Sequence, residues 1–386
     1  MNLTELKKQF SVYYENNNNL SVFFAPGRVN LIGEHTDYNG GYVFPCALSF
    51  GTYLLCRKTS DNVIKFASTN FALSKTVPLD ELTQKQGDSW VNYPLGVINQ
   101  FIKKGCNIPG FEFLFAGNVP NGAGLSSSAS IEMVTATALN NILSTGFEQV
   151  ELAKISQKAE NEFVGVNCGI MDQFASGLGK KDYAIALKCD TLDYELVPLK
   201  LNGNKLIIAN TNKHRGLTDS KYNERRRECE NAVGYLSKQK PYNFLCEIDL
   251  KTFNKNLNLI PNPVIVKRAK HVISENERVL KAIETLKAGD LNNFGKLMNE
   301  SHDSLRYDYE VTGFELDTLV EEARKIPGVL GSRMTGAGFG GCTVNLVKES
   351  AVDTFIIEVG KNYALKANLI PDFYVAEIGD GARRIE

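Results

Sequence analysis

The feature that most limits how this 386-residue chain can fold is a change of hydrophobic period across residues 118–130, NVPNGAGLSSSAS. Before it, GFEFLFAG places Phe111, Phe113 and Phe115 on one face at a period of two. After it, Ile131, Val134, Ala138 and Ile142 recur at helical spacing. A strand therefore passes through a loop of glycines and serines directly into a helix. Upstream, LSVFFAP, GGYVFPCAL, GTYLLCRKT and NVIKFAST read as short strands bounded by Gly, Pro, Asn or Asp, which predicts an antiparallel sheet. Downstream, Leu152, Ile155, Ala159 and Phe163 predict a second helix ending near Gly165, and YAIALKC and YELVPL return to strand. From about residue 205 the pattern shifts. One strand, KLIIAN, precedes charged helices near 219–239, 266–288 and 290–303, and GCTVNLV and FYVAEIG close the chain as strands. The expected organisation is an α+β chain of two domains, 1–204 and 205–386, with the last strand free to pack back on the first domain.

Charge and cysteine usage narrow the function. Forty-three basic and 44 acidic residues give a formal net charge of -1, so no whole-chain field draws nucleic acid or an anionic membrane. The eight cysteines are scattered without a Cys-x-x-Cys pair, which argues for reduced thiols in a cytoplasmic protein rather than a zinc site or disulfide framework. No stretch approaches a membrane span, and a soluble monomer is expected.

Four segments carry chemistry. In NVPNGAGLSSSAS, small residues let backbone N–H groups approach an anion, and the following helix N-terminus adds a favourable dipole. The Lys of a Walker A loop and the third Gly of a dinucleotide fingerprint are both missing, and the bland alternative is a turn with a serine N-cap. PGRVNLIGEHTDYNGG, residues 26–41, packs Arg28, Glu34, His35 and Asp37 into one loop between two strands, a set suited to a ligand rich in hydroxyls; the alternative is an exposed turn. AENEFVGVNCGIMDQFASGLG, residues 159–179, puts Asp172 after Gly169 at the start of a helix, where it could act as a general base or simply cap the helix. SRMTGAGFGGCTV, residues 332–344, is a glycine-rich turn before a strand, as a close backbone approach requires.

In this order the segments resemble the GHMP kinases, and GRVNLIGEHTDYNGG is similar to the galactokinase signature over its whole length. The resemblance runs from about residue 20 to the C-terminus. It implies a ribosomal-protein-S5-like N-terminal domain, a ferredoxin-like C-terminal domain and an active site in the cleft between them. It further implies ATP phosphates on Gly122, Ala123, Gly124, Leu125, Ser126, Ser127 and Ser128, adenine near Ser68 and Trp90, and Mg2+ on Ser128 and Glu160. Galactose is expected at Glu34, His35, Thr36, Asp37, Gly169 and Tyr222, with Asp172 as proton acceptor and Arg28 stabilising the transferred phosphoryl group. Arg225, Arg226 and Arg227 read as a solvated face compensated by Glu224, Glu228 and Glu230. Three rival readings share some motifs: an N-acetylgalactosamine kinase, a non-catalytic galactose and ATP sensor, and, more distantly, a dinucleotide-binding oxidoreductase.

Overall fold

A computed structural model describes residues 2–119, 124–213 and 218–386, leaving aside the side chains of 218–220. The first half contains α1 (Leu3–Tyr14), β1 (Ser21–Asn30), β2 (Tyr42–Val43), β3 (Pro45–Thr59), β4 (Val63–Ser68), β5 (Lys75–Pro78) and α2 (Asn92–Lys103). It continues with β6 (Gly110–Gly117), α3 (Ser127–Leu143), α4 (Gln149–Lys158), α5 (Met171–Leu178), β7 (Tyr183–Lys188) and β8 (Tyr194–Pro198). The second half opens with β9 (Asn204–Asn210), α6 (Thr218–Leu236), α7 (Leu250–Lys255), α8 (Pro263–Lys287), α9 (Leu291–Ser304) and α10 (Phe314–Ala323). It closes with β10 (Val329–Thr335), β11 (Cys342–Lys348), α11 (Val352–Ala367), β12 (Asp372–Ala376) and β13 (Arg383–Arg384).

A six-stranded sheet in the order β13-β1-β3-β6-β4-β5 forms the first domain, beside a three-stranded sheet β2-β7-β8. Its strands are apolar on both faces because both are covered. Phe23, Leu54 and Phe113 meet Phe101, Val134 and Phe174 of the helical layer, while their neighbours Val22, Leu55 and Leu114 meet Leu6 and Phe10 of α1. Each such buried side chain contributes about 1.5–3 kcal/mol. The second domain is built on the four-stranded sheet β10-β11-β9-β12. All strand pairs in these sheets are antiparallel except β4 with β6. One apolar cluster runs across the two, joining Val29, Leu31 and Phe44 to Leu206, Ile208, Val279 and Val344. FYVAEIG, expected as the last strand, becomes β12 and pairs with β9 of the second sheet, and it is an unexpected short strand after it, β13, that returns to pair with β1.

Three readings of the sequence change. GGYVFPCAL and GTYLLCRKT are not two strands, since β3 runs unbroken from Pro45 to Thr59. Gly51 marks a close approach rather than a turn, because a Cβ there would stand 2.1 Å from the Ala25 carbonyl oxygen. The segment 26–41 is not wholly a loop: Pro26 to Asn30 belong to β1, with a register shift between Pro26 and Arg28 that turns Arg28 toward the cleft. Helices α1, α2, α7, α10 and α11 were not expected. For α2 the reason is burial from Asn92 and Pro94 through Phe101, which leaves no polar stripe to set a period.

Candidate active site

The two domains enclose a cavity of about 420 Å³ whose wall includes Arg28, Glu34, His35 and Asp37 from the first signature and Gly124 to Ser128 from the serine loop. Glu160, Gly169 and Asp172 come from the third segment, Tyr222 from α6, and Gly336 and Ala337 from the late glycine turn. All four segments singled out in the sequence therefore meet at one place.

At its centre Arg28 and Asp172 form a bidentate pair: Arg28 Nε donates to Asp172 Oδ1 and Nη2 to Oδ2, both at 2.7 Å. Ser126 Oγ donates to the same Oδ2 at 2.5 Å, and Arg28 Nη1 donates to the Gly124 carbonyl at 2.9 Å. The Arg28 side chain is about 5% exposed and that of Asp172 28%, so the carboxylate still faces the cavity. Asp172 does not cap its helix. Ile170 holds the N-cap position, no side chain caps it, and Asp172 stands in the first turn of α5. Nor does Ser126 cap α3, for its hydroxyl is spent on Asp172 and no side-chain cap bond is made.

The sugar-loop residues divide. Asp37 lies so close to Gly169 that a Cβ on the glycine would fall 1.8 Å from Asp37 Oδ2, and burial, reinforced by the charges of Asp172 and Glu34, pushes its carboxyl up to about 6. Burial holds His35 neutral, with its pKa lowered to about 3, and its Nδ1 is 2.8 Å from the Tyr38 hydroxyl. Tyr222 packs against both His35 and Tyr38. Glu34 is held on both oxygens: Oε1 accepts the Gly336 N–H at 2.6 Å, and Oε2 takes Asn30 Nδ2 and faces Arg333 Nη2 at 3.3 Å. Thr36 stands apart from the other expected sugar residues. It is fully buried, its hydroxyl bonds the carbonyls of Gly33 and Tyr42, and it shapes the loop without lining the cavity.

Glu160 is delivered by a π-helical turn, Ala159–Val164, that follows α4 and ends with Gly165 N donating to the Glu160 carbonyl. Ser128 hydrogen-bonds its carboxylate, Gln173 Nε2 donates to it at 2.6 Å, and Cys168 Sγ lies 3.4 Å away. Burial, then the charge of Asp172, lifts the Glu160 carboxyl to about 7. Glu132 is buried beside it with Oε1 unpartnered. Among the described residues no cluster of three or more His, Cys, Asp or Glu forms a metal cage. A smaller cavity of about 140 Å³ shares the wall residues Ser127 and Ser128 with the first and is lined by Ser68, Phe71, Trp90, Tyr93 and Phe115, with Phe71 and Trp90 stacked. Gly122 and Ala123 lie outside the described residues.

Sequence reasoning missed Asn30, Tyr38, Gln173 and Arg333, although each lies inside a segment already singled out. It also misplaced Arg225. That side chain is buried, not solvated, and donates to the carbonyls of Tyr309 and Glu310, whereas Arg227 is exposed as expected.

With this geometry in place, the comparisons decide the family. Residues 8–58 match the galactokinase galactose-binding signature, and 92–180 and 279–365 match the GHMP kinase N-terminal and C-terminal domains. The chain is 54% identical to a galactokinase of Clostridium acetobutylicum over 99% of this chain and 97% of that one, and 51% identical to one of Bacillus subtilis over 99% of each. It belongs to the galactokinase family. A solved galactokinase of Lactococcus lactis, complexed with galactose, is 44% identical and superposes with a TM-score of 0.97 over 99% of both chains. A mevalonate kinase at 20% identity and a TM-score of 0.67 shares the fold, as expected of the wider GHMP group to which galactokinases belong. Among the described residues no helix is long and apolar enough to cross a membrane.

Proposed function

We propose that this chain transfers the terminal phosphoryl group of ATP to the C1 hydroxyl of D-galactose, giving α-D-galactose 1-phosphate and ADP. The observation that carries the reading is the bidentate Arg28–Asp172 pair, which stands where the serine loop and the sugar loop converge. Phosphoryl transfer needs an aligned hydroxyl, a place for its proton and positive charge near the transferred group. Asp172 accepts the proton of the C1 hydroxyl at its cavity-facing carboxylate. Arg28, clamped by Asp172 and by the Gly124 carbonyl, presents its charge to the phosphoryl oxygens without reorganising.

Asp37, His35, Tyr222 and the Gly169 backbone hold the sugar, and Glu34 braces them through Gly336 and Arg333. The unpaired N–H groups at the start of α3 receive the phosphates, and the Trp90 pocket receives the adenine. Ser128 and Glu160 would hold Mg2+. They fit it: both offer hard oxygens, one carboxylate and a hydroxyl suffice for an ion that keeps waters and phosphate oxygens, and two buried carboxylates side by side, Glu132 and Glu160, want a counter-charge. When bound, Mg2+ neutralises charge on the phosphates. The eight cysteines are all free, which supports a reducing, cytoplasmic setting.

A panel of sugars with ATP and Mg2+, reading ADP release and the phosphate position by NMR, tests the proposal. Galactose is expected to be turned over at C1 in preference to N-acetylgalactosamine and glucose. Dominant transfer to a C6 hydroxyl or to a non-sugar acceptor overturns it.

A further inference from the structure

Behind the sugar loop lies a chain of hydrogen bonds that the reaction as described does not use. His35 Nδ1 is 2.8 Å from the Tyr38 hydroxyl, Tyr38 is 2.8 Å from the Tyr309 hydroxyl, and Tyr309 is 3.2 Å from Cys229 Sγ. Tyr309 and Cys229 are fully buried, so the chain is closed at its far end. The Tyr309 ring is wedged between two imidazoles, with centroids 4.7 Å from His35 and 4.6 Å from His271. Its backbone is held as firmly. Tyr309 ends a π-helical turn, Leu305–Tyr309, whose last carbonyls are bound by Arg225 Nε at 2.8 Å and by Arg268 Nη1, on Asp308, at 2.7 Å.

Each hydroxyl in such a chain donates once along it, so the whole chain runs one way or the other. If the protons point toward His35, the chain starts on the thiol and ends on the ring nitrogen lone pair, a strong acceptor. If they point away, it starts on the ring N–H, a strong donor, and ends on a thiol sulfur, a weak acceptor, so each direction makes one strong and one weak end bond. The choice falls to the other side of the ring, where the Ala337 carbonyl accepts and so favours the first direction, Nδ1 being engaged with Tyr38. That direction leaves Nδ1 unprotonated and puts the proton of the neutral ring on Nε2. A further observation agrees: Nε2 is buried without a protein partner of good geometry, beside Ala337 at the cavity wall.

We propose that Tyr309 is a positioning residue of the sugar site, which acts through Tyr38 to fix His35 in the tautomer that presents Nε2–H to a sugar oxygen. This rests on the reading of His35 as a sugar ligand. His35 then works purely as a donor, while Asp37 across the site works as an acceptor, so a hydroxyl pattern is read with two opposite polarities. Arg225 and Arg268 belong to the device as anchors of Tyr309.

The test is heteronuclear NMR of the imidazole nitrogens with kinetics alongside. In the wild type, His35 is expected as a single Nε2–H tautomer at neutral pH, shifted by galactose. Tyr309→Phe frees the Tyr38 hydroxyl to reverse, so the tautomers should mix and the galactose KM should rise roughly three- to tenfold while the ATP KM holds. A merely structural role would move neither the tautomer nor the sugar KM selectively. Should Tyr309→Phe fold poorly, Tyr38→Phe cuts the adjacent link and is expected to give the same two changes. A folded variant whose His35 keeps a pure Nε2–H tautomer overturns the proposal alone. A wild-type His35 blind to saturating galactose strikes out His35 as a sugar ligand, and the proposal with it.

Discussion

Asp172 and Arg28 sit 144 positions apart in sequence, yet the two hydrogen bonds they share define the corner proposed to react. Replacing Asp172 by Asn therefore does more than remove a proton acceptor: an amide N–H₂ would face the Arg28 N–H groups. Because Asp172 does not cap α5, no cap bond is lost and only a modest first-turn charge effect remains, so kcat should fall by roughly 10²- to 10⁴-fold with the ATP KM near wild type. Stopped-flow ADP release with a parallel melting curve measures both; a kcat above about a tenth of wild type would refute the proton-acceptor role. At the neighbouring contact, Gly169→Ala pushes a methyl into Asp37 and should raise the galactose KM about tenfold or more, leaving ATP binding unchanged by calorimetry. For the metal, Glu160→Gln should weaken Mg2+ activation more than Ser128→Ala, since it removes the charged donor. These positions were legible because each stands in a short segment of unusual composition. Their partners were not: nothing local told that Ser126 would serve Asp172 rather than a phosphate, or that Thr36 would turn inward to its own loop.

Among the elements, α6 teaches most. Its run Arg225, Arg226, Arg227 is flanked by glutamates at helical spacing, a pattern that locally reads as solvent-facing ion pairs. The helix nevertheless buries the Arg225 face, because the guanidinium finds the carbonyls of Tyr309 and Glu310, partners that only the tertiary fold supplies. Thermal denaturation should separate the two cases. Arg225→Met, which leaves those carbonyls without their donor, is expected to cost about 1–3 kcal/mol, and Arg227→Ala under about 0.5 kcal/mol. Strands were easier to place than helices wherever β-branched or aromatic residues clustered between glycines or asparagines, as in β6 and β9. Helix α2 was invisible for the opposite reason: burial on nearly every side erased the stripe by which a helix announces itself.

At the scale of the whole molecule, the site works against the stability of the fold that carries it. The Asp37 carboxyl is held at about 6 against an ordinary 3.8, chiefly by burial, so the folded chain binds its proton more tightly than the unfolded chain does. Its favourable contribution is present below about 3.8 and is lost as pH rises through about 6; at neutral pH the ionised group is a cost. Asp37→Asn should thus raise Tm at neutral pH, with the gain fading toward pH 4, while the galactose KM rises about tenfold. Scanning calorimetry across that range checks the sign, and a Tm that falls at neutral pH would contradict it. A different consequence follows from β13. It completes the edge of the six-stranded sheet by pairing Arg383 and Arg384 with Phe24 and Phe23, and Ala382 N donates to the Ser176 carbonyl on the helix that carries Asp172. During biosynthesis, at about 5–20 residues per second, the nascent first domain would wait tens of seconds with that edge open. Deleting β13 from the chain would therefore leave the β1 edge unpaired and take from the helix that carries Asp172 its backbone tie to Ala382.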